Sequence, residues 1–225
     1  MDRAALLFWL WMLFFTVNAL WALSQAAVAS SFGVRPTLVK LGVGPRLFTL
    51  SLGGIQWALR PLVPFGSAVS FEDPTQDAAS SKAPADNRLR QLPVALHAAT
   101  IVLPWAVLVG VAMACLGPGE GLRHFVTGFA LPFQVSLLPE RIERFVAVLR
   151  DGELLRAWGL LSAKVAAANL LPLPVLAGGS LVMLPWRNQR ERVPVWAASL
   201  NLLMMAFALP WACYVVYLLG ATVLR

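Results

Sequence analysis

Apolar residues gather into four long runs along this chain, at 4–29, 92–116, 157–185 and 194–222. Each is long enough to cross a bilayer as a helix, which takes about 20 residues. The first run stops at Phe32-Gly33-Val34-Arg35-Pro36, the second at Gly117-Pro118-Gly119, and the third at the basic loop Arg187 to Arg192. Pro104 lies inside the second run, where a kink is expected. Ala27-Val28-Ala29 before Ser30 has the small-x-small form of a leader cleavage site. The run is longer than a leader core, and Asp2-Arg3 puts little positive charge ahead of it, so a retained helix is expected.

Between the first two runs, residues 32–71 change character. Leu41 to Leu50 and Ile55 to Leu59 are short β-like stretches around Gly53-Gly54, which predicts a hairpin. Its open edges need covering by protein, by lipid headgroups or by a bound strand. Pro61 to Gly66 turns the chain again, and 72–91 has the composition of a solvated polar linker. Residues 120–156 are mixed. His124 to Pro139 is apolar but too short to cross and reads as interfacial. Glu140 to Arg156 alternates charge, with Glu140 and Arg144 one turn apart, the pattern of a solvated helix face. The expected fold is a single α-helical polytopic membrane domain over 1–225. It has four transmembrane helices and a membrane-associated β-hairpin between the first two.

Composition points the same way. The 225 residues are 59% hydrophobic and 13% charged, with mean hydropathy +0.71, against about half apolar and about a quarter charged in soluble domains. The net charge of +7 is dispersed and no nucleic-acid module accompanies it, which leaves no nucleic-acid partner. Charge also orients the chain. The short loop at 187–192 carries three arginines, which places it in the cytoplasm. Four spans then put both termini outside and 32–91 inside, where its seven basic residues agree; the five arginines of 117–156 are balanced by five acids. Cys115 and Cys213 fall in apolar runs and are expected to be buried small hydrophobes, not a disulfide or a metal pair.

The third run differs from the others. Ala168 to Gly179 carries Asn169, Pro172, Pro174 and Gly178-Gly179 where a spanning helix would ordinarily be uninterrupted Leu, Val and Ala. Each proline removes a backbone donor. Backbone left open at membrane depth must be buried in protein or line a wet cavity, so this break is a candidate site. A proline-kinked helix packed on its neighbours is the alternative.

The stretch Asn169 to Gly179 resembles the N-x-x-P-x-P-x-L-D-G-G motif of the site-2 protease family of intramembrane zinc metalloproteases. A second resemblance supports it. Phe32-Gly33-Val34 followed by Leu41-Gly42-Val43-Gly44-Pro45-Arg46-Leu47-Phe48 is similar to the family's F-G-V … L-G-F-G-P-[KR]-L-F segment after the catalytic helix. Pro64 to Val69 stands where the family has P-L-G-G-Y-V. Motif order, spacing and the four-span layout match over most of the chain. The family's PDZ insert is missing, and a G-P-x-x-N element is absent from Ala98 to Leu103. A bacterial cytoplasmic membrane is the implied location.

The resemblance implies two zinc-binding histidines and a general-base glutamate from H-E-x-x-H, with a third ligand from the aspartate of L-D-G-G. Those positions fall on Trp21, Ala22, Gln25 and Ala177. Only Gln25 offers an oxygen, a poor one for zinc. No catalytic residue, metal ligand or cofactor is therefore expected. His97 and His124 are isolated. Ser24, Ser162 and Ser180 lack a histidine base, and Lys164 is expected to snorkel to the interface. The indole of Trp21 is expected to fill the vacated space against Ala177 and Gly178, with Gln25 near Asn169. What the resemblance leaves is a scaffold for binding: Asn169, Pro172, Pro174 and Gly178, with Gly44 and Pro45 in the hairpin segment, as contacts to a partner's segment.

The leading expectation is thus a catalytically inactive site-2-protease-like membrane protein. It would bind the transmembrane or extended segment of another membrane protein, as a regulator or a complex subunit. An active metallopeptidase with non-standard ligands is one alternative. A small transporter built on the broken third run is another, although the chain has no internal repeat and no intramembrane acid.

Overall fold

The computed structural model describes residues 2–60, 62–64, 66–71, 88–172, 176–186 and 195–224. The chain divides into two compact units, one of residues 14–107 and one of residues 1–13 with 108–225. Among the described residues, three helical stretches are long and apolar enough to cross a membrane: Arg3–Ser31, Val94–Leu116 and Met205–Leu224. The first two are helices α1 and α2. The third lies within α7, Val195–Leu224.

The unit of residues 14–107 holds a four-stranded sheet, β1 (Leu38–Leu41), β2 (Phe48–Leu52), β3 (Ile55–Leu59) and β4 (Ala68–Ser70), in the order β2-β3-β1-β4. β2 and β3 pair antiparallel across Gly53-Gly54, with Leu52 opposite Ile55. The sheet goes beyond the two strands expected from sequence. β3 lies parallel to β1, with Val39 opposite Trp57, and β4 closes the other side antiparallel to β1. Val39 on β1 and Ala58 on β3 are the fully buried residues of the two central strands. Val39 packs with Ala22 and Ala26, so the sheet lies on the alanine face of α1; Trp57 and Ile55 fill in around them. A second cluster, Ala29, Val34, Phe71 and Leu89, ties the end of α1 to the chain leaving β4. β2 is an edge strand exposed along its whole length, with Phe48, Leu50 and Leu52 among its outward residues. Of the polar linker at 72–91, residues 72–87 lie outside the described residues; Arg88–Gln91 form a single 3-10 turn.

The other unit is helical. It contains α3 (Pro118–Gly128), two 3-10 turns at Leu131–Phe133 and Val135–Leu137, α4 (Leu138–Arg150), α5 (Leu154–Asn169), the six-residue α6 (Ala177–Val182) and α7. In α4, Leu138, Ile142, Val146 and Leu149 recur at helical spacing and are buried, while Glu140 and Arg144 pair on the outside. α4 packs on α5 and α7, and Arg150 donates to the carbonyl of Thr222 at 3.0 Å near the end of α7. The expected solvated face thus covers only the outer side of an amphipathic helix.

The third run is interrupted, as its asparagine, prolines and glycines suggest: α5 ends at Asn169 and α6 begins at Ala177. One expectation needs correcting. The cysteines are free but not buried; Cys115 is half-buried and Cys213 exposed. Cys213 sits on α7, whose Leu203, Phe207, Val216 and Tyr217 are also exposed, as suits a helix surrounded by lipid.

Candidate functional site

The break after α5 is built by local chemistry. The N–H groups of Leu170 and Leu171 still reach the carbonyls of Ala166 and Ala168, each at 3.2 Å. Pro172, which is exposed, then has no N–H to give, and the helix cannot continue. The carboxamide of Asn169 turns back along its own helix and donates to the carbonyl of Val165 at 2.9 Å. Where the chain re-enters a helix, Gly178 is buried against the carbonyl oxygens of Leu170 and Leu171; a Cβ at 178 would collide with both. Glycine is needed here for close backbone approach. Pro174 lies outside the described residues.

The Gly-Pro segment has a similar logic in the sheet unit. Val43 and Val63 exchange both main-chain hydrogen bonds, at 3.0 and 2.9 Å. This brings Gly42 against the carbonyl of Arg60, while its N–H donates to Ser67 Oγ at 3.2 Å. Gly44 adopts φ 130°, and a Cβ there would stand 2.7 Å from Leu62 Cβ. The glycine spacing of Leu41 to Pro45 follows from this crossing, with Pro45 exposed beyond it.

The positions that the family resemblance assigns to zinc are occupied by packing side chains. The indole of Trp21 stacks on Trp105 with ring centroids 5.2 Å apart and planes 25° apart. Trp105 was not legible from sequence, because no local spacing links it to Trp21. Ala22 is 0% exposed in the core cluster with Ala26 and Val39. Gln25 and Ala177 are half-buried. Zinc takes thiolates, imidazoles and carboxylates. An indole, two methyl groups and a carboxamide do not fit it, and among the described residues no three His, Cys, Asp or Glu converge.

Three other candidate groups, Ser162, Lys164 and His124, lie in the unit of residues 1–13 with 108–225. Ser162 is fully buried, with no hydrogen-bond partner for its hydroxyl among the described residues. Lys164 Nζ donates to the carbonyl of His124 and to Thr127 Oγ1, both at 2.8 Å, because Gly128 brings α3 close enough to meet Ala167 and Lys164 on α5. His124 Nε2 stands 3.4 Å from Glu120. Burial, and then the Lys164 charge, push its imidazole below the ordinary range despite that carboxylate.

Comparison with known proteins bears on the whole chain. The family model described as Peptidase family M50 matches residues 23–211. No curated protein and no solved structure matches. The family match covers far more than half of the sequence and takes in the Gly-Pro segment and the broken helix. The chain belongs to peptidase family M50, the site-2 protease family.

Proposed function

We propose that this member of the family no longer cleaves and instead binds, holding the transmembrane or extended segment of another membrane protein as a regulator or complex subunit. The observation that carries this reading is the filling of the family's ligand positions. Trp21 is stacked on Trp105 and Ala22 is sealed into the core under the sheet. Neither side chain can ligate a metal or move a proton.

Two surfaces remain suited to binding. The free edge of β2 can pair its main chain with an extended segment, an interaction that needs no metal. The break after Asn169 offers irregular backbone of the kind that membrane proteins keep only where it serves a site or is packed by protein. Asn169, Pro172, Pro174, Gly178, Gly44 and Pro45 are the proposed shapers of these surfaces. In the same reading α5, the break and α6 make the third of four spans, the hairpin of β2 and β3 is membrane-associated, and both termini lie outside a bacterial cytoplasmic membrane.

Elemental analysis of the purified full-length protein tests this. Background zinc only, with no cleavage of membrane substrates, is expected; an equivalent of zinc per chain with metal-dependent cleavage would overturn it.

A further inference from the structure

Two loops meet at one end of the sheet. β1 and β3 run parallel and both leave the sheet there, at Leu41 and Leu59. β2, antiparallel to β3, enters it there at Phe48, and β4 starts there too, with Ala68 opposite Lys40. The loops 42–47 and 60–67 are therefore side by side, and the main chain fixes them to each other. Val43 and Val63 exchange both hydrogen bonds, Arg60 donates its N–H to the Leu41 carbonyl at 2.9 Å, and Leu47 donates to the Leu59 carbonyl at 3.1 Å. Gly44 lies against the side chain of Leu62.

The knob so formed is apolar on its outside. Val43, Leu47, Phe48, Leu62 and Val63 are all exposed, Leu47 at 70% and Leu62 at 69%. Single exposed hydrophobes are ordinary, but five on two interlocked loops make a patch that needs a partner. Arg46, also exposed, stands within it between Pro45 and Leu47. No acid balances it: from Arg3 to Phe71 the sequence has no Asp or Glu, against Arg3, Arg35, Lys40, Arg46 and Arg60. The sheet that carries the knob is held beside the bilayer. Its Val39 packs on Ala22 and Ala26 of α1, a membrane-crossing candidate.

We propose that this knob enters an acidic lipid leaflet, with Val43, Leu47, Leu62 and Val63 among the acyl chains and Arg46 at the headgroup phosphates. Apolar side chains gain by leaving water for the acyl layer, while a long basic side chain keeps its charge at the headgroups. A basic segment without acids matches an anionic leaflet and is indifferent to a zwitterionic one. The inference rests on the membrane association of the hairpin proposed above, and adds which loops enter and which lipid they meet. It does not depend on the binding of a partner.

The test uses full-length protein carrying Cys115→Ser and Cys213→Ser and one spin-labelled cysteine. It is reconstituted in phosphatidylcholine vesicles with or without phosphatidylglycerol and read by power saturation against oxygen and a nickel chelate. With phosphatidylglycerol present, labels at Leu47→Cys and Leu62→Cys are expected to favour oxygen, as acyl surroundings do. Gln56→Cys, exposed at the other end of the sheet, should favour nickel. Both knob positions are exposed, so neither change empties the core. Omitting phosphatidylglycerol should shift 47 and 62 towards nickel, and Arg46→Gln should abolish that shift. Nickel preference at 47 and 62 with oxygen preference at Leu52→Cys would overturn the proposal and leave the hairpin's membrane association standing. Nickel preference at all three would end both. Poor access to both reagents at 47 and 62 would mean that protein covers the knob, and would overturn the proposal, as would depths indifferent to phosphatidylglycerol.

Discussion

Residues 21–25 on α1 and the break after Asn169 are the two stretches that the motif resemblance sets against a metal site, and the fold uses them in opposite ways. On α1 the helix is continuous and its side chains have been recruited into packing. Trp21 meets Trp105, and Ala22 is covered by Val39. After α5 the side chain that would hold metal is also missing, at Ala177, yet the irregular backbone remains and is built around Gly178. A side chain that points into a core can be exchanged for another that fills the same space. A backbone break with glycine at a close approach has no such substitute. Ala22 is packed into the core while Gly178 holds a close backbone approach at the break, which is the contrast expected under the proposed reading of binding without cleavage.

The sharpest way to break this contrast is to restore the family's residues one at a time. Ala22→Glu places a carboxylate in a fully buried apolar cluster. A loss of several kcal/mol, roughly 3 or more, is expected, seen as little folded protein after detergent extraction. Ala177→Asp, at a half-buried position, should be milder. An Ala22→Glu protein as stable as the parent would show that the α1 positions are not core.

Trp105→Ala should come next, at about 3–5 kcal/mol for the loss of a large buried ring. The stacked indoles should also give an exciton couplet in the far-ultraviolet circular dichroism. Trp21→Ala and Trp105→Ala should each abolish it, and the double variant should remove no more than either alone. A couplet that survives either change would separate the two rings.

Gly178→Ala probes the other half. Its Cβ would meet the carbonyls of Leu170 and Leu171, so about 1–3 kcal/mol of destabilisation is expected in thermal unfolding. Gly119→Ala, with open space at its Cβ, is the control and should change little. The smallest effect concerns the anchoring of α5 to α3. Folding lowers the His124 pKa from its ordinary 6.5, so the unfolded chain takes up that proton first. Stability from this group is complete above pH 6.5 and is lost as pH falls through and below it. His124→Gln should flatten the melting temperature just below that pH relative to the parent; identical acid sensitivity would mean His124 carries none of it.

Much of the fold was legible because bilayer-length apolar runs and glycine turns act locally. The helices α1, α2 and α7 follow directly from their runs, and Gly53-Gly54 marks the turn between β2 and β3. The parallel pairing of β1 with β3 was not legible, since register between Val39 and Trp57 depends on a third strand crossing between them in sequence. The break in the third run was legible, because Pro172 has no N–H to give and α5 ends at Asn169. The acceptors of Lys164 were not legible, because on α3 they lie 37 and 40 residues away in the chain. At the candidate site, the identities of Trp21, Ala22, Gln25 and Ala177 could be read from the sequence, whereas their surroundings, a tryptophan stack and a sheet-covered alanine, required the structure.

The most direct test of the central claim is site-specific photocrosslinking in cells, with benzoylphenylalanine at position 169 and, as a control, at exposed Leu155 on the same helix. A discrete membrane protein joined at position 169 and not at 155, recovered at full length and unaffected by metal chelation, is the predicted result. A captured partner that appears only as a fragment, and whole once metal is chelated, would contradict binding without cleavage. So would the absence of any adduct specific to position 169.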